Sequence, residues 1–501
     1  MATEARAPAR TPLYAGYALG LLTLVNVLNY LDRNVIFALF GQIKADLGLT
    51  DAQLGWLGSA RILIFSLAAL PFGMLGDLRS RRAVISAGTA VRSAFTAIGG
   101  LVTTFPQFFL CRSTVGIGEA ACNAPSQSLV ADYYPKGRAL AMGILAAGIA
   151  VGGVLGIWLG GQLGELYGWR VTFMTVGLPG FALAALVARL RDPTREPKAV
   201  SLRSSLEEFG LGLTSLGRMF APSLVGLAIG AVAFLVLDGR YQANSQVDVG
   251  AFAAALGLGV AWNIWIWVQK IRACLPEETP LPAMEDMGGA VMELWGAIQS
   301  VLNTPTLVYI FIGGALISFG INGMVGWAPT FLNRALGLST TAGAVLLGKW
   351  GLIFGTAGTL FGGWMADVLR RTIPTGRVIT GVAGIVIGAP LAIWLVTLRD
   401  PAIFVPVFSA AFFFLTWYNG PMAAVIFDVA PPRISATVIG AYVMFIHVAG
   451  DAVAFPLVGM LSDRFGIERA ILVLPMVALG GGLVVLGALR TLVVDMERAA
   501  V

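Results

Sequence analysis

The sequence is poor in charge, histidine and cysteine, and each shortage excludes a class of protein. Only 12% of its 501 residues are charged, about half the share of a soluble domain, which argues against a soluble globular protein. A single histidine, His447, excludes a metal site built from several histidines. The three cysteines form an odd set without the spacing of a disulfide framework. No Walker loop is present, so we expect no ATP site in this chain.

Long apolar stretches fill the chain instead, and 57% of its residues are hydrophobic. A helix needs about 20 mainly apolar residues to cross a bilayer, and lipid cannot satisfy exposed backbone groups. We predict fourteen spans, of which 222–238 is the shortest. They are 13–39, 52–76, 83–104, 107–133, 138–164, 170–190, 222–238, 250–269, 306–332, 341–367, 377–398, 402–428, 434–462 and 467–490.

A short pattern that ends in an acidic residue recurs four times at the ends of apolar stretches. Its copies are GMLGD at 73–77, GQLGE at 161–165, GWMAD at 363–367 and GMLSD at 459–463. The first and third copies are 290 residues apart, and the second and fourth are 298 apart. Such internal duplication is typical of secondary transporters, whose binding site lies between the repeats.

Basic residues in the loops predict the orientation. With the N-terminus inside, the inner loops and termini hold 21 of the 33 Lys and Arg residues, against seven in the outer loops. Both termini are therefore predicted to be cytoplasmic, in the inner membrane if the source is bacterial. This bias explains the basic composition, so we expect no nucleic-acid partner.

With this orientation, two copies of the pattern end inside and two end outside, so each half is three helices followed by three inverted helices. This arrangement resembles the major facilitator superfamily. It predicts an all-α polytopic membrane protein with two six-helix halves and a two-helix insertion between them. The predicted parts are a cytoplasmic tail (1–12), an N-terminal bundle (13–191), a central linker (192–304), a C-terminal bundle (305–491) and a second cytoplasmic tail (492–501).

The linker is predicted to cross the membrane twice within 222–269, because a single extra span would invert the second half. Amphipathic stretches at 201–220 and 283–303 are expected to lie along the inner membrane face.

The first copy of the pattern continues into a basic loop and resembles the superfamily's cytoplasmic signature, although Leu78 and Ser80 depart from it. The resemblance implies a latch that stabilises the outward-open state. Its members are Gly73, Asp77, Arg81 and Arg82. The alternative interpretation is a basic cluster that only sets topology.

Charged side chains at membrane depth are costly and indicate function. At 1.5 Å per residue, Asp32 lies about 12 Å and Arg112 about 9 Å below the outer ends of their spans, so the two can meet. Glu119 lies two turns deeper, where desolvation favours the protonated carboxyl. We therefore predict that Glu119 carries a coupled proton.

The motifs around these charges, Asn29-Tyr30-Leu-Asp32-Arg33 and Arg112-x-x-x-Gly-x-Gly-Glu119-Ala, resemble the spinster branch of the superfamily. So do Gly168-Trp-Arg and Trp327-Ala-Pro-Thr-Phe-Leu. The resemblance implies proton-linked movement of lysolipids or sphingoid lipids, with Asp32, Arg112 and Glu119 as the coupling and gating set. Anion:cation symporters share part of the first two motifs, and both the insertion and Asp451 depart from the family pattern.

The second half lacks this charge pairing, because Asp32 corresponds to Asn322 under the 290-residue shift. Arg61 is a candidate for binding an anionic head group as a fork of donors, for pairing with Glu119 or Asp32, or for snorkelling to an interface. His447 and Asp451, one turn apart, form either a second protonation site or an interhelical hydrogen bond. The candidate substrate contacts are Asn29, Tyr30, Arg33, Arg61, Asn322, Trp327, Lys349 and Tyr418.

Together these features predict a proton-coupled transporter that rocks two halves about a midplane cavity, and not an enzyme. Its expected partners are protons, membrane lipids and an amphiphile with an anionic or zwitterionic head. It is expected to be a monomer that needs no cofactor besides the proton gradient. The alternatives are a symporter of small organic anions, a drug:proton antiporter and, from another class, a non-transporting membrane sensor.

Overall fold

A computed structural model of the protein describes residues 12–78, 80–134, 138–191, 300–431 and 435–499, together with scattered helical residues between 221 and 269. Within this part the chain forms helices and no strands, which confirms the predicted fold class. Nine described stretches are long and apolar enough to cross a membrane. The predicted amphipathic stretch at 201–220 lies outside the described residues, and so do residues 283–299 of the stretch predicted at 283–303.

The N-terminal half contains six helices. They are α1 (Pro12–Leu47), α2 (Asp51–Leu78), α3 (Arg81–Gly99), α4 (Phe105–Tyr133), α5 (Arg138–Gly177) and α6 (Pro179–Ala188). Inside α5 the backbone breaks at Gly168, whose φ of 81° suits glycine. This break separates the two spans predicted at 138–164 and 170–190.

The C-terminal half repeats the plan in shorter pieces. Its helices are α7 (Pro305–Leu336), α8 (Thr340–Arg370), α9 (Gly376–Thr397), α10 (Pro401–Leu415), α11 (Asn419–Val429), α12 (Ser435–Phe445), α13 (Ala452–Phe465), α14 (Ile467–Ala470), α15 (Val473–Leu486) and α16 (Leu492–Ala499). A π-helical turn, Ile446–Asp451, joins α12 to α13. Gly466 repeats the break at Gly168 with the same φ of 81°.

Residues 492–499 of the predicted tail form α16 and pack on the C-terminal half. The carboxylate of Asp495 accepts a hydrogen bond from the backbone N–H of Thr306 at 3.0 Å. Because this N–H belongs to the first turn of α7, the contact satisfies a donor that the helix itself leaves free.

The insertion between the halves has two helical parts that touch. A Cβ built on Gly226 would lie 2.9 Å from the Cα of Gly259, so the two backbones approach closely at these glycines. This packing supports the predicted helix pair. That the pair spans the membrane stays a prediction.

The two halves pack against each other at one end of the molecule, where α2 meets α13 and α5 meets α8. A Cβ added to Gly55 or Gly459 would run into the backbone of the facing helix, so glycine permits this contact. Phe37 stacks on Phe455 across the same junction, with ring centroids 5.1 Å apart. We call this end, which carries Asp51, the closed end, and the opposite end, which carries Arg81 and Arg377, the open end.

Candidate functional site

A cavity of about 680 Å³ lies between the two halves. Its walls are mainly apolar and include four phenylalanine rings, those of Phe331, Phe404, Phe408 and Phe412. Its polar lining consists of Tyr30, Arg33, Asn34, Asn322, Thr356, Thr359, Thr416, Asn419 and His447. An apolar chamber with a few polar groups suits a ligand that has a long apolar part.

Arg33 is the arginine of the cavity wall, with 16% of its side chain exposed. Its guanidinium lies over the ring of Tyr30, 5.3 Å from the centroid. Its Nη2 lies 4.0 Å from Oδ2 of Asp451, which belongs to the other half. Arg33 therefore links the halves and faces the cavity at once.

Asp32, next to Arg33 on α1, points into the N-terminal half. Its Oδ2 accepts a hydrogen bond from the hydroxyl of Thr96 at 2.6 Å. Its Oδ1 accepts one from Nη1 of Arg112 at 3.2 Å, and Nη1 of Arg92 lies 4.0 Å from Oδ2. The structure thus brings Asp32 and Arg112 together, as their depths along the two spans predicted, and adds Arg92.

Glu119 is paired with Arg61, whose Nη1 donates to Oε2 of the carboxylate. Both side chains are buried, and Arg61 is only 2% exposed. Arg61 is absent from the described lining of the cavity. Of the predicted alternatives for Arg61, the structure shows pairing with Glu119. Arg33 and Arg92 lie within electrostatic reach of the same carboxylate.

Asp451 is a fully buried carboxylate at the end of the π-helical turn. The Ser318 hydroxyl and the Asn322 amide donate to its Oδ1 at 2.5 Å and 3.0 Å. Nδ1 of His447 lies 2.6 Å from Oδ2. The predicted contact between His447 and Asp451 is therefore present, and its use as a protonation site stays a prediction. π-Helical turns often mark functional sites.

The other predicted substrate contacts lie away from the cavity. Trp327 is buried near the closed end, where its Nε1 donates to the Phe455 carbonyl at 3.2 Å. Lys349 is exposed, with its ammonium 4.8 Å from the Trp350 ring centroid. Tyr418 is buried. Tyr30, Arg33 and Asn322 do line the cavity.

The closed end is held by acidic residues of the repeat pattern, a role that we did not predict. The Asp463 carboxylate accepts hydrogen bonds from the backbone N–H groups of Asp51 and Ala52 at 2.8 Å and 2.9 Å. Glu165 accepts one from the N–H of Thr341 at 2.9 Å. Each carboxylate therefore caps a helix of the opposite half, where free N–H groups and the helix dipole favour a negative charge.

Asp51 is the centre of an ion-pair cluster at this end. Arg334 donates to both of its carboxylate oxygens, at 2.6 Å and 2.8 Å. Lys44 and the Ser462 hydroxyl each donate at 2.6 Å. A bidentate arginine contact is among the stronger charge-assisted hydrogen bonds, so this cluster ties α2 to α7 and α13.

At the open end the described arginines bond within their own half. Arg81 donates to Asp132 at 2.6 Å, and Arg82 donates to the Leu190 carbonyl at 2.7 Å. Arg377 donates to Asp428 at 2.6 Å in the other half. The side chain of Asp77 and the surroundings of Gly73 lie outside the described part, so the latch stays a prediction.

The sequence and the fold both match known membrane transporters. The family model described as Major Facilitator Superfamily matches residues 22–450. An MFS-type efflux pump of Mycolicibacterium smegmatis is 24% identical over 454 residues, which cover 90% of this chain and 85% of that protein. The sphingosine-1-phosphate transporter SPNS2 of Mus musculus is 31% identical over 193 residues, 37% of this chain and 35% of that one.

Among solved structures, a bacterial homologue of the human lysosomal transporter spinster, in an inward-facing and unoccupied conformation, matches with a TM-score of 0.71. The match covers 97% of this chain and 99% of that chain at 21% sequence identity. At this identity the likeness concerns the fold.

Proposed function

Because this chain belongs to the major facilitator superfamily, a family of membrane transporters, we propose that it moves amphiphilic lipids with an anionic head group and couples the movement to protons. The resemblance to the spinster branch is confirmed by the matches to its members. The observation that carries the lipid proposal is the apolar cavity with Arg33 in its wall. The apolar surface suits an acyl or sphingoid chain, and the guanidinium suits the head group.

The charge balance around the cavity favours an anionic head. Among the described residues of this region, four guanidinium groups face three carboxylates, which leaves one positive charge in excess. The guanidinium groups belong to Arg33, Arg61, Arg92 and Arg112, and the carboxylates to Asp32, Glu119 and Asp451. Of these arginines, Arg33 is the one that the described cavity lining includes. A bound phosphate or carboxylate would balance the excess at Arg33.

Proton coupling follows from the pair of Arg61 and Glu119. A proton on Glu119 removes the charge that Arg61 neutralises, and an unpaired buried guanidinium is unstable. Protonation therefore favours a conformation in which Arg61 finds another partner. The two conformations differ in their proton affinity at Glu119, and this difference is what lets a proton gradient shift their populations.

The closed end and the open end supply the two gates. With the termini in the cytoplasm, the closed end is the outer one and the cavity opens inward. Asp463, Glu165 and the Asp51 cluster hold the halves together on the outer side. Opening that side requires these carboxylates to leave the helix ends that they cap, while the open end closes around the cavity.

A thermal-shift screen of the purified protein tests the substrate class. Sphingosine-1-phosphate, sphingosine and a small carboxylate such as galactonate are compared at mildly acidic and neutral pH. A ligand that binds the folded protein raises its melting temperature by mass action. We expect stabilisation by sphingosine-1-phosphate and little by sphingosine, which has the same chain without the anionic head.

The matched variant is Arg33→Gln, which should remove the preference for the phosphate head while leaving the fold intact. Stabilisation by galactonate alone would overturn the lipid proposal in favour of a small-anion symporter. Equal stabilisation by sphingosine and its phosphate would show that the head group is not recognised through its charge.

A further inference from the structure

A second, much smaller cavity lies inside the N-terminal half, between α1, α4 and α5. It offers about 10 Å³ to a water-sized sphere, roughly the room that one water needs. Asn29 and Ser126 line it and are 5% and 7% exposed. Within the described part of the chain, Oδ1 of Asn29 and Oγ of Ser126 have no hydrogen-bond partner.

Unpartnered buried polar atoms are costly, and a polar cavity of this size is where proteins hold internal water. Two more amides face the same space, those of Asn26 and Asn123. Asn26 also donates to the Leu145 carbonyl at 2.8 Å. The cavity is therefore polar enough to give a water molecule several partners.

This cavity lies beside a row of polar side chains on α4, those of Glu119, Asn123 and Gln127, which we call the polar file. Glu119, Asn123 and Gln127 are four residues apart on α4, so their side chains share one face of the helix. The Gln127 amide is exposed and donates to Oδ1 of Asn123 at 2.9 Å. Asn123 is half-buried and Glu119 is buried. The file thus runs from the surface to the buried carboxylate.

The file leads toward the open end and is separate from the large cavity. α4 begins near the closed end and ends beside Asp132, the partner of Arg81. Among the described residues, the lining of the large cavity includes none of Asn26, Asn123 and Ser126. A proton that follows this file does not pass through the space taken by substrate.

We propose that the facing polar sides of α1 and α4, formed by Asn26, Asn29, Asn123 and Ser126, hold water and conduct protons between Glu119 and the open-end surface. The proposal rests on the proposed proton role of Glu119. A proton leaves the Glu119 carboxyl for the water held by Asn29 and Ser126, and a proton from that water passes to solvent at Gln127. The amides and the hydroxyl only orient the water.

The groups that face Glu119 explain why a separate path is useful. Arg61 donates to its carboxylate, and Arg33 and Arg92 lie within electrostatic reach. These cations belong to α1, α2 and α3. The residues of the path, Asn26, Asn29, Asn123, Ser126 and Gln127, are uncharged, so a proton that follows it meets no fixed positive charge within the path.

Proton flux in vesicles tests the path. The protein is reconstituted with a trapped pH dye, and the proton flux driven by a sphingosine-1-phosphate gradient is compared with sphingosine-1-phosphate exchange, which needs no net proton movement. We expect Asn123→Leu with Ser126→Ala to lower the flux roughly tenfold or more, as positioned proton relays contribute about 10²–10⁴-fold. Exchange should stay within about twofold.

The matched control is Thr114→Val, which also removes a polar group from α4. The Thr114 hydroxyl bonds to the Leu110 carbonyl of its own helix at 2.9 Å, away from the file. We expect this control to keep both flux and exchange. Unchanged flux in Glu119→Gln would overturn proton coupling itself. A flux that Glu119→Gln abolishes but the double variant leaves intact would overturn the path alone.

Cys122 gives a second test that does not depend on transport. Cys122 is 1% exposed and lines the same small cavity, and its thiol donates to the Ile85 carbonyl of α3 at 3.5 Å. With Cys111 and Cys274 replaced by alanine, it is the single thiol of the chain, and infrared spectroscopy in D₂O follows its S–H to S–D exchange. We expect exchange to be fast, and to slow at least about tenfold in the double variant. A thiol that exchanges as slowly as buried backbone amides would show that no water reaches the cavity.

Discussion

The two halves share a helix plan but hold their buried charges differently. In the N-terminal half, Asp32 and Glu119 are neutralised by arginines, with Arg112 at 3.2 Å from Asp32 and Arg61 bonded to Glu119. In the C-terminal half, Oδ1 of Asp451 accepts hydrogen bonds from uncharged groups, and its Oδ2 lies 2.6 Å from Nδ1 of His447 and 4.0 Å from the partly exposed Arg33. A hydroxyl or amide tolerates loss of the carboxylate charge far better than a buried guanidinium does. The duplication has therefore preserved the fold of the two halves while their chemistry has diverged.

Neutralising Glu119 is the sharpest way to test this difference. Glu119→Gln keeps the shape of the side chain but cannot exchange a proton, so we expect proton-driven uptake to be abolished while substrate binding or exchange survives. Uptake in vesicles across a pH gradient measures the first, and counterflow measures the second. Asp451→Asn is the matched change in the other half and should retain most of the driven uptake. If the two variants behave alike, proton coupling does not depend on the N-terminal half more than on the C-terminal half.

We expect the loss of Arg61 to destabilise the protein more than the loss of any uncharged group in the C-terminal half. Arg61→Met leaves Glu119 as an unpaired buried carboxylate, and breaking a buried pair costs about 3–5 kcal/mol. The midpoint of thermal or denaturant unfolding in detergent reports the loss. The double variant Arg61→Met with Glu119→Gln should regain most of it, because it leaves no lone charge. A double variant as unstable as Arg61→Met would point to lost packing instead.

The pair of Asp32 and Arg112 should show a measurable coupling energy. We expect Asp32→Asn and Arg112→Gln each to destabilise the protein and the double variant to cost less than their sum, by about 0.5–3 kcal/mol. Exchanging the two residues should rescue folding better than either single change. Thr96 and Arg92 also contact Asp32, so they remain unchanged throughout the cycle. Strict additivity would mean that the two groups act independently.

The smallest effects are expected from variants at the closed end, where Glu165 and Asp463 make the same kind of contact from the two halves. Glu165→Gln and Asp463→Asn each weaken one helix cap, which is worth about 0.5–2 kcal/mol. Each should shift the population toward a state that is open at that end, and spin-label distances between α2 and α13 would show the shift. Asp367→Asn, at the equivalent place of the open end, serves as the control and should not widen the closed end. An equal response from all three variants would contradict the distinction between the ends.

Sequence patterns predicted the parts of this site that depend on position along a helix. The apolar stretches predicted the helices, and the rise of 1.5 Å per residue placed Asp32 and Arg112 at one depth. The same reasoning left the role of Arg61 open, because the depth of a residue in the membrane does not reveal how its helix is rotated. It also assigned Trp327 and Tyr418 to the cavity, whereas the structure buries both elsewhere.

The closed-end contacts had a signal that we did not use. Glu165 and Asp463 are equivalent members of one repeated pattern, and their equivalence implies equivalent partners. The partners, however, are helix starts in the opposite half, and a repeat says nothing about how two halves dock. The cluster of Asp51 and Arg334 depends on that docking as well, since the two residues are 283 positions apart.

Composition, period and spacing in the amino-acid sequence were enough to identify a helical membrane protein with duplicated halves and buried charges in its first half. The pairing of Arg61 with Glu119, the position of Arg33 in the cavity wall and the identity of the closed end became visible only in the folded structure. Those contacts depend on the rotation and tilt of helices against one another, and these are set by packing summed over many side chains and glycines.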